Sequence, residues 1–219
     1  MSEQPAAEQK ATGTSAAVQA SAPRVTGAEL TTGDLVPTAG QTIGPFYGFA
    51  LPYDRGDELV PPGSARAVRL HGAVLDGAGQ PVPDAMLEIW QADDAGRIPH
   101  EPGSLRRDGF TFTGFGRAAT DDEGHYTFST VVPGPTEPGG APFIAMCVFA
   151  RGLLDRLFTR VYLPDDADAL AADPLLSRLP EDRRQTLIAQ RDENGGLRFD
   201  VRLQGEGETV FLAFPDGRA

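Results

Sequence analysis

The stretch from Gly134 to Gly152 constrains the fold of this chain more than any other. It begins as a turn, Gly-Pro-Thr-Glu-Pro-Gly-Gly-Ala-Pro, and then runs nine residues past Pro142 without another breaker. A cluster of Gly and Pro followed by such a run is a turn feeding a strand. Side chains alternate across a strand, so Phe143, Ala145, Cys147 and Phe149 share one face, and Ile144, Met146, Val148 and Ala150 the other. Both faces are apolar, which predicts a central strand covered on both sides.

Other segments carry the same signature. Glycine (26) and proline (19) are too frequent in 219 residues for a helical bundle and suit short strands joined by turns. The alternation of Val68, Leu70, Gly72 and Val74 predicts a strand over 66–75. The next alternation, with Leu87 and Ile89 on one face and Glu88 and Trp90 on the other, predicts its hairpin partner in a sandwich sheet. Residues 94–117 form a long irregular excursion, a length that in compact domains lines a site or an interface. The turn 120–124 leads into a strand over 125–132, and a further strand is expected over 157–163. A helix is expected from Pro180 to about Arg191, with Glu181 and Asp182 at its positive end and Leu187 and Ile188 inward. Two closing strands, 197–203 and 208–214, flank the turn at 205–207. The expected fold is mostly β: an antiparallel β-sandwich with long loops and one or two short helices.

Three parts are expected along the chain. Residues 1–34 are too poor in large apolar side chains to offset their ordering entropy, and read as a disordered tail. Residues 35–65 form an extended arm in which Phe46, Tyr47, Phe49 and Tyr53 crowd around Gly44 and Pro45. A segment this apolar needs a surface to cover it, either its own domain or a neighbouring subunit. The sandwich occupies 66–219.

Charge and residue chemistry narrow the function. A formal net charge of −12 argues against nucleic acid or an anionic membrane as partner. Cys147 is the only cysteine, which rules out an internal disulfide, and its apolar strand marks it as a core thiol. The first ten residues contain no apolar run and no stretch approaches the ~20 apolar residues of a membrane span, so the expected compartment is the cytoplasm. The three histidines, His71, His100 and His125, lack ligand spacing, and the four tyrosines show no Tyr/His pairing. No phosphate loop, Ser/His/Asp set or CxxC pair is present. Residue chemistry alone therefore describes an acidic β-sandwich without a self-sufficient catalytic site. It leaves open a stand-alone, transthyretin-like binding module, and an enzyme with a metal site rebuilt from other residues.

A resemblance adds more. The segments Gln41-Thr-Ile-Gly-Pro-Phe, Leu87-Glu-Ile-Trp-Gln-Ala-Asp, Phe115-Gly-Arg, Thr120-Asp-Asp-Glu-Gly, Val132-Pro-Gly-Pro, Phe149-Ala-Arg-Gly and the block from Arg198 to Phe211 resemble the intradiol ring-cleaving dioxygenases. In two-chain members of that family the beta chain holds ferric iron through two tyrosines and two histidines, the latter as His-x-His on one strand face. Imidazole and phenolate suit that ion. The positions here that match those ligands are Leu105, Thr136, Phe143 and Ala145. None is a Tyr or a His. The resemblance thus implies an alpha-type chain that binds no catalytic iron, is inactive alone, and assembles with an iron-bearing beta chain into a higher alpha/beta oligomer. The old metal side, at Phe143 and Ala145, is expected to be filled by apolar packing. The resemblance also implies that Thr42, Gly44, Pro45 and Phe46 line the partner's pocket for a small aromatic acid cleaved with O2, and that Arg151 adds positive charge there.

Overall fold

The computed structural model describes residues 44, 46–100 and 107–213. Among them two sheets face one another. The first contains β1 (Val68–Leu75), β4 (His125–Thr130), β7 (Gln190–Arg191), β8 (Leu197–Arg198) and β9 (Val201–Arg202), in the order β4-β1-β8-β7 with β9 also on β1. The second has the order β3-β2-β5-β6, from β2 (Met86–Trp90), β3 (Phe115–Ala119), β5 (Phe143–Phe149) and β6 (Leu157–Tyr162). Leu70, Val74 and Phe128 of the first sheet and Leu87, Ile89, Ile144, Met146, Val148 and Val161 of the second bury their side chains between the layers. The expected sandwich is present, and its core lies on the faces that alternation assigned.

Most pairings are antiparallel, but β1 runs parallel to β8 and β9. The expected strand over 197–203 is therefore two short pieces. Between them the Phe199 carbonyl lies where a side chain on Gly72 would stand, since an added Cβ comes within 1.9 Å of its oxygen. The Asp200 carboxylate takes the Ala73 N–H at 3.0 Å in place of a ladder carbonyl.

Three other expectations change. β1 and β2 are not a hairpin, because they belong to different sheets. The turn after β1 is closed by the Asp76 carboxylate, which accepts the Ala78 and Gln80 N–H groups. Val82 N–H still reaches the Val74 carbonyl. Pro81 and Pro83 supply no donors to extend that ladder, so the chain crosses to the other layer. The helix at 180 is a short one, α3 (Glu181–Gln185), since Leu187 and Ala189 turn away to exchange backbone bonds with Tyr162. Residues 208–213 run without a ladder, held by single bonds such as Leu212 N–H to the Phe158 carbonyl. Phe214 lies outside the described residues.

Helix is otherwise confined to α1 (Tyr47–Ala50), α2 (Ala167–Ala172) and a 3-10 turn at Leu176–Arg178. α1 falls inside the segment expected to be extended. Its bonds, Ala50 N–H to Phe46 and Leu51 N–H to Tyr47, are those of one helical turn. No helix among the described residues is long and apolar enough to cross a membrane.

Candidate functional site

The outer face of the β3-β2-β5-β6 sheet holds the residues of interest. Register decides which side chains meet there: Ala145 lies between Trp90 and Arg160, Cys147 between Glu88 and Phe158, and Phe143 opposite Tyr162. One end of this face is covered by Tyr53 and the loop that follows it, with Arg117 donating to the Leu51 carbonyl. The other end is covered by the helical segment, where Tyr162 is buried among Leu170, Leu176 and Leu187. Between them is a groove of about 570 Å³. Trp90, 53% exposed, stands at this opening. Among the described residues the second cover expected over β5 is therefore incomplete: neighbouring segments cap the two ends of the sheet and leave its middle open.

The groove is also not filled by apolar packing alone. The Arg160 guanidinium lies 4.1 Å from the centre of the Phe143 ring, a cation–π contact. It donates to the Tyr162 hydroxyl at 3.0 Å, and that hydroxyl donates to Asp173 Oδ1 at 3.0 Å. Asp173 also accepts the Leu175 and Leu176 N–H groups, which ties the arginine to the helical segment. Burial pushes the Tyr162 phenol up to about 12, so it stays a neutral donor at neutral pH. Arg156 stands 5.0 Å from the Phe158 ring centre. Neither Arg156 nor Arg160 forms an ion pair among the described residues. Glu88, the groove's carboxylate, is engaged by Arg117 at 2.8 Å. Burial first, and then the Glu88 charge, raise the Cys147 thiol to about 12, consistent with an inert buried cysteine.

These residues do not fit a ferric ion. Phe143 and Ala145 offer no lone pair, and the guanidinium over Phe143 opposes a second cation there. Thr136 is exposed beside a separate hollow that it shares with Phe143 and Arg160. Leu105 lies outside the described residues. Among the described residues no group of three or more His, Cys, Asp or Glu is placed to hold a metal. His71 is engaged by Asp192 Oδ2 at 2.9 Å, while His100 and His125 are exposed.

The expected partner-facing residues occupy a different edge. Gly44 has φ +74°, a conformation that favours glycine. Phe46 is 73% exposed, whereas the neighbouring Tyr47 is buried and donates its hydroxyl to the Asp84 carbonyl. The Asp84 carboxylate accepts Arg151 Nε at 2.6 Å. Arg151 and the arm therefore meet at Asp84, although the arginine's charge is already compensated. One aromatic of the arm covers its own domain and another points away from it. Thr42 and Pro45 lie outside the described residues.

Trp90, Arg156 and Arg160 had not stood out in the sequence as site residues. The signal was the alternation of Phe158, Arg160 and Tyr162, but only the pairing with β5 places Arg160 beside Ala145.

The two-layer fold points to a class, and comparison with known proteins agrees. A family model described as "Dioxygenase" matches residues 43–205. The chain belongs to the intradiol ring-cleaving dioxygenase family. Within the family it is similar to the protocatechuate 3,4-dioxygenase alpha chain of Burkholderia cepacia, with 42% identity over 194 residues, 81% of this chain and 98% of that one. The beta chain from the same organism is 36% identical over 152 residues, 63% of this chain and 64% of that one. Among solved structures, the dioxygenase domain of a dioxygenase carbohydrate-binding protein fusion from Streptomyces sp. SirexAA-E aligns with a TM-score of 0.52. It is 26% identical, over 78% of this chain and 99% of that one.

Proposed function

We propose that this chain is the alpha subunit of a cytoplasmic protocatechuate 3,4-dioxygenase. That enzyme opens the ring of protocatechuate between its two hydroxyls with O2, giving 3-carboxy-cis,cis-muconate. The observation that carries the reading is the pair Phe143 and Ala145, side chains without a ligating atom, on a face where Arg160 lies over the Phe143 ring and opposite Ala145. The ferric iron belongs to a beta chain, and this chain supports assembly. Its arm, through Thr42, Gly44, Pro45 and Phe46, lines the beta chain's pocket, and Arg151 stands near the arm's root. The exposure of Phe46 next to the anchored Tyr47 supports that role, because it presents a flat ring away from the domain.

The test is to express the chain alone and with a beta chain, then measure iron content, the visible tyrosinate-to-iron band and O2 uptake on protocatechuate. Iron, colour and turnover are expected only in the co-expressed complex. A coloured and active lone chain overturns the reading. Introducing F143H and A145H together is expected to leave the lone chain without iron-dependent turnover, because positions 105 and 136 still lack tyrosine.

A further inference from the structure

We propose that Tyr47 is the positioning residue of the arm: clamped by its ring and hydroxyl on the segment before β2, it sets where Phe46 leaves the domain before any partner chain arrives. The inference rests on the alpha-subunit reading for the arm's role at the partner's pocket, and on this chain's own contacts for the clamp.

Two anchors, one at each end of α1, carry it. Tyr47 opens that helical turn and is 6% exposed, whereas Phe46 just before it is 73% exposed. The Tyr47 hydroxyl donates to the Asp84 carbonyl, and this acceptor is itself fixed. Next to it, Ala85 donates its N–H to Thr120 Oγ1 at 3.0 Å and accepts the Thr120 N–H at 2.9 Å, while the Asp84 carboxylate accepts Arg151 Nε at 2.6 Å. Burial, and then the Asp84 charge, raise the Tyr47 phenol, so the hydroxyl keeps the proton it donates. The second anchor lies one helical turn further on. Arg117 of β3 donates to the Leu51 carbonyl and, at 2.8 Å, to Glu88. Tyr53 stands between Arg117 and Arg107, whose guanidiniums lie 5.6 Å and 5.7 Å from its ring centre. Arg107 also donates to the Tyr53 hydroxyl at 3.1 Å and to the Gly56 carbonyl at 3.0 Å. A helix of one turn has no stability of its own in water, so α1 exists because both its ends are tied. Tyr47 is the contact at the Phe46 end. Losing it frees Phe46 while Arg117 and Arg107 keep the root of the arm in place. A side chain held in position beforehand costs less ordering entropy when a partner closes over it.

The test uses Tyr47→Phe, which keeps the ring and removes the hydroxyl, and Tyr47→Ala, which removes both. In the full chain alone, hydrogen exchange is followed by NMR at the Ala50 and Leu51 amides, the donors that close α1, with the Met146 amide of β5 as the monitor of global stability. Protection of Ala50 and Leu51 is expected in the unsubstituted chain. Tyr47→Phe should speed their exchange about fivefold, the scale of one net hydrogen bond, and Tyr47→Ala by more, beyond any change at Met146. Unprotected amides in the unsubstituted chain, or exchange unchanged in both variants, overturn the clamp. Each form is then assayed in complex with a beta chain for O2 uptake on protocatechuate. KM is expected to rise about three- to tenfold in Tyr47→Phe and further in Tyr47→Ala, with kcat held within about twofold, since a displaced pocket wall removes binding shared by the ground and transition states. A merely structural role lowers the yield of complex and leaves KM where it was, so faster exchange with an unchanged KM overturns the positioning role. Should Tyr47→Ala fail to fold, Tyr47→Phe alone supplies both readouts. A complex of the unsubstituted chain without turnover overturns the alpha-subunit reading and the positioning role with it, while exchange in the lone chain still decides the clamp.

Discussion

The two faces of β5 come from one seven-residue run and have different fates. On the inner face Ile144, Met146 and Val148 are almost completely buried and touch both sheets. On the outer face Phe143, Ala145 and Phe149 border an open groove and share it with two arginines. Both faces read as apolar, yet only the inner one is packing. The difference teaches that hydrophobicity fixes a strand's place in a sheet, while the neighbours that register brings alongside decide whether a face is core or site.

The widest contrast should appear in stability. Met146→Ala removes a side chain filled in on all sides, and chemical denaturation should register a loss of about 2–5 kcal/mol. Phe149→Ala, on the open face of the same strand, should cost less than about 1.5 kcal/mol. Equal losses would mean that the groove is closed in solution. A smaller separation is expected from growth rather than deletion. Ala150→Leu pushes into the core and should destabilise by about 1–3 kcal/mol, whereas Ala145→Leu extends into open space and should be close to neutral. A strongly destabilising Ala145→Leu would sink the description of the outer face.

Cys147 sharpens the comparison, because it has outer-face parity but is buried between its neighbours. With its thiol near 12 instead of the ordinary ~8.5, its reaction with a thiol reagent at pH 7.5 should be more than about a hundredfold slower than in denaturant. The sign for stability follows. Above about pH 8.5 the unfolded chain sheds a proton that the folded chain keeps, so stability falls as pH rises toward 12. Cys147→Ala should remove that part of the slope, which pH-dependent urea midpoints can measure. Tyr162, raised by burial in the same direction, contributes only above about pH 10.

The smallest effect is expected away from β5. Arg151→Ala breaks an exposed ion pair with Asp84 and should change stability by no more than about 1 kcal/mol. In the complex with a beta chain, the same variant should raise KM for protocatechuate if the arm's edge adjoins the partner's pocket. An unchanged KM would detach Arg151 from the proposed site.

Much of the sandwich was legible because its signals are local. The alternation in β1, β2 and β5 named the inner faces, and the Gly-Pro turn before Phe143 marked where β5 starts. That Phe143 and Ala145 offer no metal-ligating atom was equally legible, since it follows from side-chain chemistry alone. The supposed hairpin of β1 with β2 and the unbroken strand over 197–203 failed on non-local facts. Asp200 bonds to Ala73, 127 residues away, and no nearby residue announces it.

By itself, then, the sequence determined which residues point inward, that positions 136, 143 and 145 carry no tyrosine or histidine, and that the surface is acidic. Tertiary structure alone decided that Arg160 lies beside Ala145 and over Phe143, and that no described residue covers the middle of the outer face. The physical reason is that strand periodicity assigns a side chain to a face within its own strand. The groove's chemistry depends on which residue of another strand stands opposite, and that register is set by backbone pairing and packing across the whole sheet.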